Sequence, residues 1–188
     1  MRSVIIACAL LALAACQKPQ QQPTNEPAAE AGQVKGVDRS HKGQAGPDSS
    51  FKDPEGGDIS LADFEGAPVL LNLWATWCAP CVKELPTLDR LSQAHAKDGD
   101  LEVVAVSQDM GPHASVEAFL QSHKIGSLAP YQDSKMALSG TLGPDTVLPT
   151  SILYDARGRE VWRYVGGLDW TGPEAAKLLA EAGVTSGR

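Results

Sequence analysis

The sequence predicts an α/β protein built around a mixed β-sheet. Two apolar runs, at 68–75 and 101–107, have the length and composition of buried central strands. Between them, over 79–97, apolar residues recur at the spacing of a helix that buries one face. Strands that alternate with helices indicate a layered α/β sheet, and a hairpin near the end of the chain makes the sheet mixed.

The remaining elements follow from shorter patterns. DISLADFEG predicts a short strand and a turn before the first buried run, and Val116, Phe119 and Leu120 mark a second helix after LEVVAVS. LAPYQD is a candidate strand, and we expect a short helix near SKMALSGTLG. From PVLLNLWA onwards, the predicted order is therefore β-α-β-α-β-α-β-β-α.

The end of the chain carries a hairpin and a helix. TSILYD and EVWRYV flank the turn sequence ARGR, which predicts a β-hairpin. Thr171 and Glu174 have the spacing of a capping box, and Gly183 suits a helix stop. These positions predict that the last helix covers TGPEAAKLLAEAG.

The composition is that of a globular protein. The 188 residues include 43% hydrophobic and 21% charged residues, which suits one ordinary domain with some additional length. The formal net charge is −7, and the sequence contains no run of Lys or Arg. We therefore expect no nucleic-acid partner and assign the acidity to solubility.

The N-terminal segment is typical of an exported protein. Arg2 precedes an apolar run from Val4 to Ala15, which is too short to span a bilayer but fits a signal peptide over residues 1–15. LAAC resembles the lipobox of bacterial lipoproteins, which implies cleavage before Cys16 and lipidation of that cysteine. The alternative is an ordinary signal peptide with a chance cysteine. Cys8 would leave with the signal peptide, and export would permit disulfides.

A polar segment separates this region from the rest of the chain. Residues 16–49 are rich in Gln, Pro, Gly, Ala and Ser and bury too little apolar surface to offset the entropy of ordering. We expect a flexible tether there and one domain over residues 50–188.

NLWATWCAPCVKELP, at 72–86, carries the chemistry. Cys78 and Cys81 follow a buried strand at the start of a helix, so both sulfurs lie on one side of the first turn. The positive end of the helix dipole favours a thiolate there, and the pKa of such thiols falls to roughly 3.5–7.5. We expect Cys78 to be the exposed nucleophile and the deeper Cys81 to be the resolving thiol.

Two other interpretations of the pair remain open. One is an inert structural disulfide, and the other is half of a zinc site, which needs about four ligands. The four histidines have no paired spacing with the cysteines, so we predict no metal site and expect these histidines to lie at the surface. No cofactor is expected.

The same residues carry a family resemblance over about residues 50–183. WCAPC, LPT at 148–150 and the order of elements resemble the thioredoxin superfamily. NLWATWCAPCVKELP, LPTSILYDARGRE and YVGG are more narrowly similar to its TlpA/ResA-type, membrane-anchored extracytoplasmic branch. The resemblance implies a thioredoxin-like fold, a central mixed β-sheet flanked by helices on both faces. It also implies that Pro149 is cis and faces the cysteines.

The chain departs from cytoplasmic thioredoxins at one position. Those proteins carry a buried Asp six residues before the first cysteine, where this chain has Asn72, a residue that cannot ionise and that we expect to be bonded inside the strand. Glu84, which the TlpA/ResA-type proteins share, offers a replacement carboxylate one i+3 step from Cys81. The alternative for Glu84 is an ordinary solvent-facing helix residue.

The predicted function is thiol–disulfide exchange outside the cytoplasm. Cys78 attacks a disulfide-bearing protein substrate and Cys81 resolves the mixed disulfide, with Glu84 and Pro149 completing the catalytic set. Ala79-Pro80 resembles the reducing members of the superfamily, so we expect a reductant. Such a reductant needs a membrane electron-relay partner and targets such as the cysteines of apocytochrome c or of a copper site. The candidate substrate contacts are Trp77, Ala79, Pro80, Leu148 and Thr150.

A different function for the same two thiols is Cu(I) delivery as a metallochaperone, because soft thiolates select Cu(I). The sequence offers no nearby cluster of Met or His to complete such a site. A lipoprotein with an inert disulfide is the third possibility.

Overall fold

A computed structural model describes residues 36–144 and 146–185, which belong to one compact unit of the chain. Eight strands form a single sheet. They are β1 (Gly36–Asp38), β2 (Phe51–Lys52), β3 (Asp58–Ile59), β4 (Val69–Trp74), β5 (Glu102–Ser107), β6 (Tyr131–Gln132), β7 (Thr150–Tyr154) and β8 (Glu160–Val165).

The helices follow the predicted order, so the alternation of elements from β4 onwards is confirmed. Two short 3₁₀ helices accompany them, at Leu61–Phe64 and Ala180–Ala182. The α-helices are α1 (Ala79–His95), α2 (His113–Ser122), α3 (Ala137–Leu142) and α4 (Pro173–Leu179).

The sheet is mixed, as predicted. Its strand order is β1-β8-β7-β4-β5-β6-β2-β3. Strands β4, β5 and β6 are parallel, β7 runs antiparallel beside β4, and β8 runs antiparallel beside β7. Because the carboxyl ends of parallel strands meet at one edge, the loop after β4 that leads to the cysteines lies beside the loops after β5 and β6.

Alternate residues of β4 face two different hydrophobic cores. Leu70 and Trp74 pack with the buried faces of α1, α2 and α4, and this larger core includes both cysteines. Leu71 and Leu73 face the opposite side, where they pack with Leu138 of α3 and with the first 3₁₀ helix. Helices therefore flank the sheet on both faces, which confirms the predicted thioredoxin-like fold.

The start of the folded region lies earlier than predicted. Gly36–Asp38 pairs antiparallel with β8, and Ala45 forms a further bridge with Arg159, so residues assigned to the tether belong to the sheet. An edge strand is held by backbone hydrogen bonds and needs few apolar side chains, so composition gave no sign of it. Residues 16–35 of the predicted tether, and the predicted signal peptide, lie outside the described residues.

Two smaller expectations were wrong. His95 is buried, and its Nδ1 lies 2.7 Å from Asp100 Oδ1, whereas we expected every histidine at the surface. Helix α4 has no capping box: Gly172 is its N-cap, and the Thr171 hydroxyl donates to Asp169 instead. Pro173 at the first helical position explains the start, since proline has no N–H to leave unpaired there.

Candidate active site

The two cysteines occupy the first turn of α1. Cys78 is the N-cap residue, and its Sγ accepts a hydrogen bond from the Cys81 backbone N–H at 3.3 Å. The strand β4 ends at Trp74, only a short loop before this turn, so the pair lies at the edge where the parallel strands end. This placement gives the sulfurs both the helix N-terminal amides and the positive end of the helix dipole.

The cysteines form a disulfide in this structure. The S–S distance is 2.04 Å and the two Cα atoms are 5.3 Å apart. Cys81 has no exposed surface and Cys78 is 6% exposed. Cys78 is therefore more exposed to solvent than Cys81, as predicted. It is nonetheless almost buried, whereas we expected it to be exposed.

Glu84 is not a solvent-facing residue. It is 4% exposed, on the buried face of α1 one turn beyond Cys81. Its Oε1 accepts a hydrogen bond from Asn72 Nδ2 at 2.8 Å, and its Oε2 accepts one from the backbone N–H of Leu168 at 2.9 Å. A carboxylate held by fixed donors on both oxygens keeps one orientation beneath the cysteine pair.

Asn72 is fully buried in the middle of β4 and bridges two elements. Besides its bond to Glu84, its Nδ2 donates to Ser151 Oγ of β7 at 2.9 Å. The prediction of a polar side chain bonded inside the strand is thus confirmed. Sequence reasoning proposed Asn72 and Glu84 separately and missed that they touch, because sequence separation does not reveal contact between a strand and a helix.

The segment over residues 164–170, which begins with YVGG, packs against α1 near Glu84 and Thr87. Besides the Leu168 bond to Glu84, the backbone N–H of Trp170 donates to Thr87 Oγ1 at 3.1 Å. A Cβ at Gly167 would lie 3.5 Å from the Pro80 carbonyl oxygen and 3.8 Å from Glu84 Oε2. An open groove of about 460 Å³ runs between the segment and α1, and Glu84 lies in its wall. Solvent protons therefore have a route to this carboxylate.

The Leu148–Pro149 peptide bond is cis, as the resemblance implied. Thr150, the next residue, pairs with Leu73 near the end of β4, so Pro149 lies at the same edge of the sheet as the cysteine turn. The Pro149 carbonyl oxygen accepts from the Gly166 N–H at 2.9 Å, which joins this loop to the YVGG segment.

The proposed substrate contacts differ in exposure. Trp77 is 68% exposed, and Ala79 and Pro80 are exposed beside it on the first turn of α1. Leu148 is half-buried and packs against both hydrophobic cores. The Thr150 side chain is buried and its hydroxyl donates to the Val147 carbonyl, so its role is to shape the loop before β7.

One further ionisable group lies near the site. Burial raises the pKa of the Tyr164 hydroxyl on β8, and the carboxylates of Glu174 and Glu84 add to the rise. Tyr164 belongs to the core that holds the cysteines. It therefore stays neutral at ordinary pH and adds no charge beneath the pair.

Three other expectations concern anchoring and metals. Cys16 lies outside the described residues. In the described part of the chain, no helix combines the length and the apolarity needed to cross a bilayer. Within residues 36–144 and 146–185, no group of three or more His, Cys, Asp or Glu side chains is placed to hold a metal ion.

The fold and the paired cysteines define a thioredoxin-like protein with a dithiol–disulfide site. A family model described as the AhpC/TSA family matches residues 42–172. The chain belongs to this family.

Relatives of known sequence carry names of the predicted class. Thiol-disulfide oxidoreductase ResA of Bacillus cereus is 33% identical over 99 residues, a match that covers 52% of this chain and 54% of that protein. The chain thus aligns with about half the length of the curated relatives it matches.

Solved structures of similar fold cover most of the chain. A Chlorobium tepidum protein described as thiol:disulfide interchange protein DsbE is 27% identical, with a TM-score of 0.65 over 76% of this chain and 98% of that one. StoA of Bacillus subtilis is 28% identical, with a TM-score of 0.56 over 71% of this chain and 94% of that one.

Proposed function

We propose that this protein is an extracytoplasmic thiol–disulfide oxidoreductase that acts as a reductant of protein disulfides. The observation that carries the proposal is the Cys78–Cys81 disulfide across the first turn of α1. Cys81 is fully buried in it, and Cys78 keeps a small exposed surface. The names of the relatives support the same activity.

The first step is attack by Cys78. In the reduced protein its thiolate, favoured by the helix N-terminus, attacks one sulfur of a substrate disulfide. A new S–S bond joins Cys78 to the substrate, and the second substrate sulfur leaves as a thiolate that takes up a proton. Trp77 and Pro80, exposed on either side of Cys78, contact the incoming substrate.

The second step is resolution by Cys81. Its thiol must lose a proton before the sulfur can attack Cys78, and a buried thiol ionises reluctantly because its thiolate is desolvated. Glu84 is the base we assign, since it lies one helical turn away and borders the open groove. The Cys81 thiolate then forms the Cys78–Cys81 bond, and the substrate leaves as a dithiol.

Exchange with protein disulfides is tested with the reduced full chain and insulin as substrate. We expect steady reduction of insulin by the protein when a dithiol recharges it, and none by Cys78→Ser. The same assay with Trp77→Ala asks whether the exposed ring contributes substrate contact. A wild-type protein that cannot be reduced by mild dithiols would instead favour an inert structural disulfide.

The location of the protein follows from its N-terminal sequence. Cleavage before Cys16 and lipidation of that residue would hold the domain at a membrane surface outside the cytoplasm. We expect Cys16→Ser to remain unlipidated and to be either released as a soluble form or retained as the precursor. Membrane fractionation with a lipid-label gel shift measures this, and unchanged labelling of the variant would contradict the anchor.

The partners follow from the direction of exchange. A reductant that has been oxidised by its substrate must regain two electrons, so we propose a membrane electron-relay protein as donor. The proposed acceptors are cysteine pairs that must be reduced before they bind haem in apocytochrome c or copper in an oxidase.

Cu(I) delivery by the same two thiols is the alternative function. Anaerobic copper titration of the reduced protein, run in parallel with insulin reduction, separates the two. Tight stoichiometric Cu(I) binding without insulin turnover would favour the metallochaperone.

A further inference from the structure

The Asn72 carboxamide has one atom that the oxidised structure leaves unused. Both of its donor positions are engaged, since Nδ2 donates to Glu84 Oε1 and to Ser151 Oγ. Its Oδ1 is buried and accepts no hydrogen bond. With Glu84 ionised, its carboxylate only accepts hydrogen bonds, so the amide cannot turn over to exchange the two atoms. A buried acceptor without a donor is costly and calls for an explanation.

The position of Asn72 supplies the explanation. Along β4 its side chain points the same way as Leu70 and Trp74, which belong to the core containing both cysteines. On α1, Cys81 is three residues before Glu84, and side chains at that spacing have Cβ atoms roughly 5–6 Å apart. Asn72, bonded to Glu84, is therefore a neighbour of Cys81 under the first turn of the helix.

The missing donor is created by reduction. A dithiol reductant delivers two electrons and two protons: the Cys78–Cys81 S–S bond breaks, an S–H bond forms on each sulfur, and the dithiol becomes a disulfide. The disulfide has no hydrogen to donate, whereas the reduced Cys81 has one. Cys81 is fully buried, so its new S–H has only protein groups around it.

We infer that Asn72 Oδ1 accepts a hydrogen bond from the thiol of Cys81 in the reduced protein, which makes Asn72 a positioning residue for the resolving cysteine. One carboxamide then holds both partners of the proton transfer, the Cys81 thiol through Oδ1 and the Glu84 carboxylate through Nδ2. The inference rests on the proposed function only in taking Cys81 as the resolving thiol.

The bond favours the reduced protein. It exists only when Cys81 carries a hydrogen, so it stabilises the dithiol relative to the disulfide. Loss of the acceptor should therefore shift the exchange equilibrium with a reference dithiol toward the oxidised protein. For a weak S–H donor we expect about a threefold to tenfold shift, which is about 15–30 mV toward more negative potential.

Infrared spectroscopy tests the bond in the native side chain. The sequence contains only two asparagines, Asn25 and Asn72, so full-length Asn25→Gln protein labelled with ¹³C-asparagine reports one side-chain carbonyl. We expect its band to move to lower wavenumber when dithiothreitol reduces the protein. Cys78→Ala should show the shifted band without reductant, and Cys81→Ala should never show it. An identical band in the oxidised and reduced proteins would overturn the inference.

The reduction potential provides an independent test. Asn72→Leu removes Oδ1 together with the two bonds that Nδ2 donates, to Glu84 and to Ser151, whereas the control Ser151→Ala removes only the bond between Asn72 and Ser151. Measured below the thiol pKa values, where both cysteines are protonated, Asn72→Leu should be three to ten times harder to reduce and Ser151→Ala should match wild type. Equal potentials for all three proteins would contradict the inference.

The outcomes separate this inference from the proposed function. Normal insulin turnover with an unshifted carbonyl band overturns the role of Asn72 alone. A shifted band in a protein that never turns over insulin leaves the bond standing and removes the proposed activity. Because the infrared experiment needs no Asn72 variant, it remains decisive even if Asn72→Leu does not fold.

Discussion

The two faces of the central sheet are built differently. On the face covered by α3, β4 contributes only apolar side chains, those of Val69, Leu71 and Leu73. On the other face, the β4 side chains are Leu70, Asn72 and Trp74. Asn72 donates a hydrogen bond there to Glu84 of α1. Both polar groups are almost completely buried.

The two faces of the sheet therefore contribute differently, one mainly to stability and the other also to the chemistry of the cysteines. An apolar face contributes by burial alone, at about 25 cal/mol per Å² of surface removed from water. A buried amide and carboxylate gain little over apolar residues of the same size and become costly when one partner is lost. Asn72 is the only polar residue of β4, and its contact with Glu84 lies on the face that holds the cysteines, which favours a role at the disulfide. Changes on the two faces should therefore have different consequences, which the following predictions rank by size.

The largest effect is expected from the nucleophile itself. Cys78→Ser should reduce the rate of insulin reduction to that of the reductant alone, because no other thiol in the described residues can begin exchange. Its free energy of unfolding should be compared with that of reduced wild type, so that loss of the disulfide is not mistaken for loss of the thiol. A variant that still turns over insulin would contradict the assignment of Cys78.

Glu84→Gln should have the next largest effect. General bases contribute about 10²–10⁴-fold, and we expect the low end of that range for Glu84. Removing the negative charge should also lower the thiol pKa of the pair by relieving repulsion of the thiolate. Stopped-flow exchange with a model disulfide from pH 5 to 9 should show normal attack and a longer-lived mixed disulfide. Superimposable pH profiles would mean that Glu84 only supports the fold.

A change on the opposite face should alter stability without altering chemistry. Leu71 is fully buried there, and Leu71→Ala should lower the free energy of unfolding by about 2–5 kcal/mol through lost burial and a residual cavity. Urea unfolding measures the loss, and stopped-flow exchange under native conditions should give wild-type rates for both steps. A large change in resolution rate would show that the two faces are not independent.

The smallest effect is expected at the largely exposed ion pair between Arg39 and Glu181. The Arg39 guanidinium, by hydrogen bonding to Glu181, lowers the pKa of that carboxyl below its ordinary value of 4.5. A lowered carboxyl pKa stabilises the fold above the unfolded value, and this contribution disappears as pH falls through the folded value. Glu181→Gln should cost about 0.2–1 kcal/mol at neutral pH and nothing near pH 2, because the pair is largely exposed.

Urea unfolding at both pH values checks this prediction, and Glu55→Gln serves as an exposed control. A cost for Glu181→Gln that is equally large at the two pH values would show that the effect does not come from the ion pair with Arg39.

The order of elements was predictable because long buried strands and amphipathic helices leave strong periodic patterns. PVLLNLWA and LEVVAVS became β4 and β5 with bounds close to those expected. The edge strand at Gly36–Asp38 was missed, since backbone pairing at an edge leaves no apolar pattern. The capping box at Thr171 failed because Asp169 competes for the same hydroxyl and Pro173 fixes the helix start.

The site was predictable in its residues but not in its contacts. The spacing of Cys78 and Cys81 identifies the redox pair directly. A glutamate among polar neighbours on a helix gives no sign that it is buried, and nothing in the sequence links it to an asparagine twelve positions earlier. His95 shows the same limit, because its burial depends on Asp100 folding back against the end of α1.

The most direct test of the account is a comparison of mixed disulfides trapped by two variants. Attack by Cys78 followed by resolution by Cys81 predicts that Cys81→Ser accumulates covalent adducts with its natural substrates, whereas Cys78→Ser accumulates few. Affinity purification under denaturing, thiol-blocked conditions followed by mass spectrometry counts the adducts and names the substrates. Equal trapping by both variants, or none by Cys81→Ser, would contradict the division of labour between the two cysteines.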